Sequence, residues 1–146
     1  FKQKTAYEIT YGDWSSDVCS SDLRNLQVEE SADSDLTVRM NPYLADILIS
    51  NLLSNAIKYN EEQGRLVVQV HSDSLVIANS GKPLPFPPEQ IFGRFKHGNS
   101  PDSVGLGLAI VKRICDYYQF FLSYQHQDGL HRFYIQFTKE RRMNLT

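Results

Sequence analysis

The 146-residue chain is poor in several things at once. It has two cysteines, one tryptophan and two methionines, and no excess of positive charge. Outside the first 23 residues only Cys115 remains, and one thiol cannot close an internal disulfide. Its apolar neighbours mark it as a packed core residue and point to a reducing compartment. With a formal net charge of −2, the chain lacks the clustered Lys and Arg that phosphate-tracking surfaces need, so nucleic acid is not an expected partner. Arg141 and Arg142 are too short a run to change that. No apolar run approaches the roughly 18–20 residues of a membrane helix, and no signal peptide is visible. About 120 residues beyond position 23 suffice for one domain with a single core.

The stretch G-D-W-S-S-D-V-C-S-S-D-L at 12–23 has no hydrophobic period of 2 or 3.6. Translated backward, it resembles one frame of a widely used sequencing-library adapter. K-Q-K-T-A-Y-E-I, just upstream, resembles a frame of the matching outer primer, and Thr10 and Tyr11 fall where the variable index would sit. Residues 1–23 are therefore expected to be a non-native leader, poorly packed against a domain spanning 24–146.

From Arg24 onward, Asn25–Glu29 and Leu36–Arg39 read as short strands around a polar turn. Asn41-Pro42 is a helix start, with Asn as N-cap and Pro at the first position, and the helix should run to about Tyr59. R-L-V-V-Q-V-H and S-L-V-I-A-N read as paired strands. The proline-rich G-K-P-L-P-F-P-P and the Gly/Asn/Ser-rich segment to Val104 form a long irregular passage of the kind used as lids. A second helix is expected from near Leu106. F-L-S-Y-Q and H-R-F-Y-I-Q-F, joined through Asp128-Gly129, should form a hairpin. The order predicts an α+β fold with helices on one face of an antiparallel or mixed sheet.

Four stretches carry chemistry. In S-N-L-L-S-N-A-I-K-Y, Asn51, Asn55 and Lys58 share a helical stripe with Leu44 and Ile47. Asn is a poor helix-interior residue, so its amides either face solvent or await a ligand. An amide oxygen suits Mg²⁺, Lys58 suits phosphate, and Tyr59 offers a flat surface to a base. In S-V-G-L-G-L-A-I-V-K, Gly105 and Gly107 open a helix, where backbone N–H groups can approach an anion. A simple loop-to-helix turn is the alternative. In V-I-A-N-S-G-K-P, Asn79 can accept from an amino group and donate to a ring nitrogen, and Gly81 permits approach of a planar ring. Turn chemistry alone also explains it. In I-F-G-R-F-K-H-G, Phe92 and Phe95 are satellite core or part of a lid.

Together, in their order along the chain, N-L-L-S-N-A-I-K-Y resembles the N box, N-S-G the first glycine box, F-G-R-F the F box and G-L-G-L the second glycine box of sensor histidine kinase catalytic domains. The resemblance implies the Bergerat ATP-binding fold, a two-layer α+β sandwich with a mixed sheet and helices on one face. It implies ATP and Mg²⁺ as cofactors, with Asn55 on the metal and Asn51 supporting metal or phosphates. Lys58 and Lys96 would meet phosphate and Tyr59 and Asn79 the adenine, with Gly81 close by. Gly105, Leu106, Gly107 and Leu108 would frame the triphosphate, and 92–104 would be the lid. Asn51, Asn55 and Lys58 are the implied catalytic residues.

Two departures stand out: Asn79 where the family usually has Asp, and Pro83 where it has a second glycine. His97 occupies a lid position often held by arginine. Fold relatives that hydrolyse ATP carry a Glu where this chain has Asn51, and an amide cannot act as a base.

None of His71, His97, His126 or His131 stands in an H-E-x-x-x-P setting, so the phosphoacceptor histidine is expected on a preceding dimerisation domain. The resemblance further implies a downstream response regulator receiver domain and a cytoplasmic location. It implies a homodimeric parent protein, with or without an anchor at the inner face of the cell membrane. A degenerate nucleotide-binding regulatory module and an anti-sigma-type serine kinase remain as alternatives.

Overall fold

The computed structural model describes residues 7–9, 26–33, 36–93 and 107–137. The elements are β1 (Tyr7–Ile9), β2 (Gln27–Ala32), β3 (Leu36–Val38), α1 (Pro42–Lys58), β4 (Arg65–Val70), β5 (Ser74–Ser80), α2 (Gly107–Tyr118), β6 (Phe121–Gln127) and β7 (Leu130–Gln136), with a 3-10 turn at Pro88–Gln90.

β2, β4, β5, β7 and β6 form a five-stranded sheet in that order. The β2–β4 pair is parallel and the other pairs are antiparallel, so the sheet is mixed, as the element order predicts. Leu66, Val68 and Val70 on β4 and Leu75 and Ile77 on β5 alternate onto the face that packs against the helices. Val67, Ala78 and Leu130 form a small cluster of their own. Every residue of β5 is buried, as befits a central strand.

α1 starts where Asn41 predicts. The Asn41 side chain accepts from the Tyr43 and Leu44 amides at 2.8 and 3.4 Å, replacing partners the first helical turn cannot supply itself. Its buried residues are Ala45, Leu48, Ile49, Leu52, Leu53 and Ala56, a stripe at i, i+3, i+4, i+7, i+8 and i+11. α2 buries Leu108, Val111, Ile114 and Cys115. Cys115 is fully buried, and burial pushes its thiol up to about 12. The Asn41 backbone N–H donates to the Tyr118 hydroxyl at 2.9 Å, tying the start of α1 to the end of α2. The two helices therefore run antiparallel, and the end of α1 meets the start of α2.

β6 and β7 turn through Asp128 (φ 56°) and Gly129 (φ 75°). Two successive left-handed residues make the turn whose twist suits a hairpin, as the Asp-Gly pair predicts.

Two boundaries differ from the sequence reading. β2 is displaced to Gln27–Ala32, because its register is set by pairing with β4 from Gln27↔Arg65 to Ala32↔Val70. The leader also is not wholly apart: Tyr7–Ile9 pairs antiparallel with β3, Tyr7 opposite Val38 and Ile9 opposite Leu36. These three residues are joined to the domain through backbone pairing. An open strand edge bonds through backbone groups and accepts an extended segment with little regard to its side chains.

Candidate nucleotide site

The end of α1, the ends of β5 and β7 and the start of α2 surround a cavity of about 280 Å³. Its wall includes Asn55 and Tyr59 from α1 and its cap, Asn79 and Gly81 from the end of β5, Leu108 from α2, and His131 and Phe133 from β7. The loop after β5 closes one side with Lys82, Pro83, Leu84, Pro85 and Phe86. A mostly apolar hollow with a few convergent polar groups is the form a small-molecule site takes.

Sheet register explains how these residues meet. Val28, Leu66, Asn79, His131 and His126 lie in one row across the five strands, each opposite the next. The row is apolar at the β2 side and polar beyond β5. Asn79 is 4 % exposed and its Nδ2 donates to the Ser80 carbonyl at 2.9 Å. One amide proton is thus held internally, leaving the second proton and the oxygen as its remaining hydrogen-bonding capacity.

Asn55 is the anomaly of α1. Its Nδ2 is buried with no hydrogen-bond partner among the described residues, an arrangement that costs about 1–3 kcal/mol unless something pairs with it. Rotating the amide by half a turn exchanges its two ends, so the position offers a donor to a phosphate oxygen or an acceptor to a cation. Asn51 is partly satisfied, since its Nδ2 donates to the Ile47 carbonyl one turn back at 2.8 Å.

Both amides face α2. A Cβ on Gly107 would stand 3.1 Å from Asn51 Oδ1 and 3.4 Å from Asn55 Nδ2. Gly107 therefore lets the first turn of α2, whose N–H groups have no intrahelical partners, approach both asparagines closely. The donor set fits Mg²⁺ and phosphate: neutral oxygen ligands, a helix N-terminus and an unpaired amide at one place.

The structure thus brings Asn51, Asn55, Tyr59, Asn79, Gly81, Gly107 and Leu108 to one region. Lys58 is exposed and not among the cavity-lining residues; its ammonium lies 5.6 Å from the Tyr59 ring centroid. Lys96, Gly105, Leu106 and His97, and most of the segment 92–104, lie outside the described residues. Phe92 packs edge-on against Phe133 at 6.0 Å, the satellite-core role open to it from sequence. A planar ring does stand beside Gly81, that of His131. His131 belongs to none of the sequence motifs.

With this geometry in place, comparison with known proteins is decisive. Residues 41–141 match the model of the family "Histidine kinase-, DNA gyrase B-, and HSP90-like ATPase". The chain belongs to this family. Within the histidine kinase- and gyrase-like ATPases it is similar to sensor kinases. It is 38 % identical over 89 residues to the sensor histidine protein kinase HK06 of Streptococcus pneumoniae, covering 56 % of this chain and 20 % of that protein. It is 37 % identical over 108 residues to the heme sensor protein HssS of Staphylococcus aureus, covering 68 % and 20 %.

The chain spans about a fifth of the length of these curated relatives. In fold it superposes on the mycobacterial sensor histidine kinase MprB with a TM-score of 0.74 at 22 % identity, covering 92 % of this chain and 95 % of that one. The catalytic domain of histidine kinase ThkA gives 0.70 at 20 %, covering 94 % and 99 %. The expected α+β sandwich of an ATP-binding histidine kinase-like domain is thereby established.

Proposed function

We propose that residues 24–146 form the catalytic domain of a two-component sensor histidine kinase. The domain takes ATP in the cavity and directs its γ-phosphate to a histidine on a separate phosphoacceptor and dimerisation domain. The observation that carries this reading is the buried, unpaired Asn55 amide facing the glycine start of α2 beside an apolar hollow. Asn79, Gly81 and Tyr59 receive the base. Asn55, supported by Asn51, holds Mg²⁺, which neutralises phosphate charge when bound. Gly105, Leu106, Gly107 and Leu108 offer α2's unpaired amides to the triphosphate, with Lys58 and Lys96 as phosphate-facing cations.

Direction of transfer follows from what the site lacks. Asn51 is an amide whose nitrogen is already bonded to the Ile47 carbonyl, so it cannot take a proton from water. The domain therefore suits transfer to an external acceptor, where positioning and charge neutralisation dominate. The acceptor nitrogen forms the new bond to phosphorus as the bond to the bridging oxygen breaks, and ADP leaves. A response regulator receiver domain then accepts the phosphoryl group. The reading includes a homodimeric parent protein placing this domain in the cytoplasm, at the inner face of the membrane where an anchor is present. Among the described residues no helix is long and apolar enough to cross a membrane.

The test mixes this chain, Mg-ATP and a separate histidine-bearing helical hairpin of a sensor kinase. Acid-labile phosphohistidine on the hairpin is expected. ATP binding without any phosphohistidine would overturn the reading, and acid-stable phosphoserine would favour a serine kinase instead.

A further inference from the structure

Two imidazoles stand beside the cavity where none of the sequence motifs places them. His126 on β6 and His131 on β7 are register partners, with ring centroids 4.6 Å apart, and His131 is also the register partner of Asn79. His126 Nε2 lies 2.9 Å from the Gly81 carbonyl oxygen. A carbonyl only accepts, so Nε2 carries the proton and donates. His131 Nδ1 lies 2.6 Å from the Tyr124 hydroxyl, and in the neutral ring this nitrogen accepts from the phenol. The opposite edge of His131 fills the space beside Gly81: a Cβ there would stand 2.7 Å from both Cδ2 and Nε2.

The wall that these rings touch runs from the end of β5 toward Leu84 and Phe86, which pack against the core. Gly81 makes one backbone bond, from its N–H to the Gly129 carbonyl at 3.2 Å. Pro83 and Pro85, which also line the cavity, have no N–H to donate. One imidazole therefore grips the carbonyl of this wall, and the other props the same residue while facing the cavity.

We propose that His131, steadied by Tyr124 and His126, is a positioning residue of the cavity: its neutral ring holds the Gly81–Pro83 wall in the form that takes the nucleotide, and charging it loosens that wall. The inference rests on the cavity's being the nucleotide site. Burial and then the neighbouring His126 hold the His131 imidazole below its ordinary range, while the Lys82 backbone and Glu61 act the other way. Burial pushes the Tyr124 phenol up to about 12, so it stays a donor. The Lys82 side chain also lines the cavity and adds positive charge to the same wall. Acid thus places a second positive charge against this cluster, and nucleotide affinity falls. By linkage, nucleotide binding must also lower the pH at which His131 charges.

The experiment follows the imidazole C–H resonances of the 146-residue chain by NMR as pH falls, with and without Mg-ATP, and measures Mg-ATP affinity by calorimetry. His131→Gln assigns the resonance by its loss and supplies an amide side chain that cannot titrate. Dividing the wild-type affinity by the His131→Gln affinity at each pH cancels the titration of the phosphate itself. That ratio should fall by about threefold or more between about pH 7.5 and about pH 5.5. The His131 resonance should titrate at lower pH when Mg-ATP is bound.

A His131 titration indifferent to Mg-ATP, or a constant affinity ratio, overturns the proposal while leaving the nucleotide site intact. No Mg-ATP binding at any pH removes both. If His131→Gln does not fold, Tyr124→Phe replaces it. Loss of the phenol's donated bond should raise the pH at which His131 charges and weaken Mg-ATP binding; no change in either sinks the proposal.

Discussion

At the scale of single residues, a site shows itself where a side chain costs the apo protein stability. Asn55 does so, because a buried donor without a partner is worse than no donor at all. Asn55→Ala should therefore weaken Mg-ATP binding by about tenfold or more, the scale of one lost charge-assisted contact. The melting temperature of the ligand-free chain should stay level or rise. Calorimetric titration and thermal melts check the two halves; lower apo stability with unchanged affinity would make Asn55 a structural residue.

His131 carries a pH dependence whose sign is fixed. Its imidazole is held below the ordinary value, so on acidification the unfolded chain takes up that proton first. Its contribution is complete above the unfolded value of about 6.5 and is lost as pH falls below it. Melting temperature should decline from about pH 7.5 to about pH 5, and less steeply in His131→Gln.

At the scale of elements, what could be read from sequence depended on the range of the interaction. The asparagine, proline and helical periodicity that define α1 lie within one segment, and so does the Asp-Gly turn of β6 and β7. Their signals are local, and the structure follows them. Asn55 and Asn79 were legible because amides at a helix stripe and a strand end look out of place in their own segments. His131 was not, since its place at the cavity depends on β5 pairing with β7 across the intervening segment and α2.

The local signals also carry energy. Asn41 caps α1 through its side chain while its backbone bonds Tyr118 on α2. Asn41→Ala should cost about 1 kcal/mol of folding stability, and Tyr118→Phe somewhat less. Both changes lie at the end of the helix pair remote from Asn55 and Gly107, so Mg-ATP affinity should change less than twofold or so. Chemical denaturation and calorimetry read the two effects; a large affinity loss would mean that the helix ends are coupled.

At the scale of the whole molecule, the question is which parts the cavity requires. The row from Val28 to His126 runs through β2, β4, β5, β7 and β6, and the cavity draws on α1, α2 and this sheet. β1 belongs to neither: among the described residues it pairs with β3, in a separate two-stranded sheet. Its three residues bond through backbone to an edge that many extended segments would satisfy.

β1 is thus held at the edge of β3 and is not among the cavity-lining elements, and removal of residues 1–23 tests that division. A chain beginning at Arg24 should keep its far-ultraviolet circular dichroism and bind Mg-ATP within about twofold of the full chain. Uncovering β3 should lower the melting temperature by a few degrees, roughly the effect of 1 kcal/mol in a domain of this size. Collapse of the fold or loss of nucleotide affinity would show instead that Tyr7–Ile9 supplies something the domain needs, and would remove the case for treating 1–23 as foreign to it.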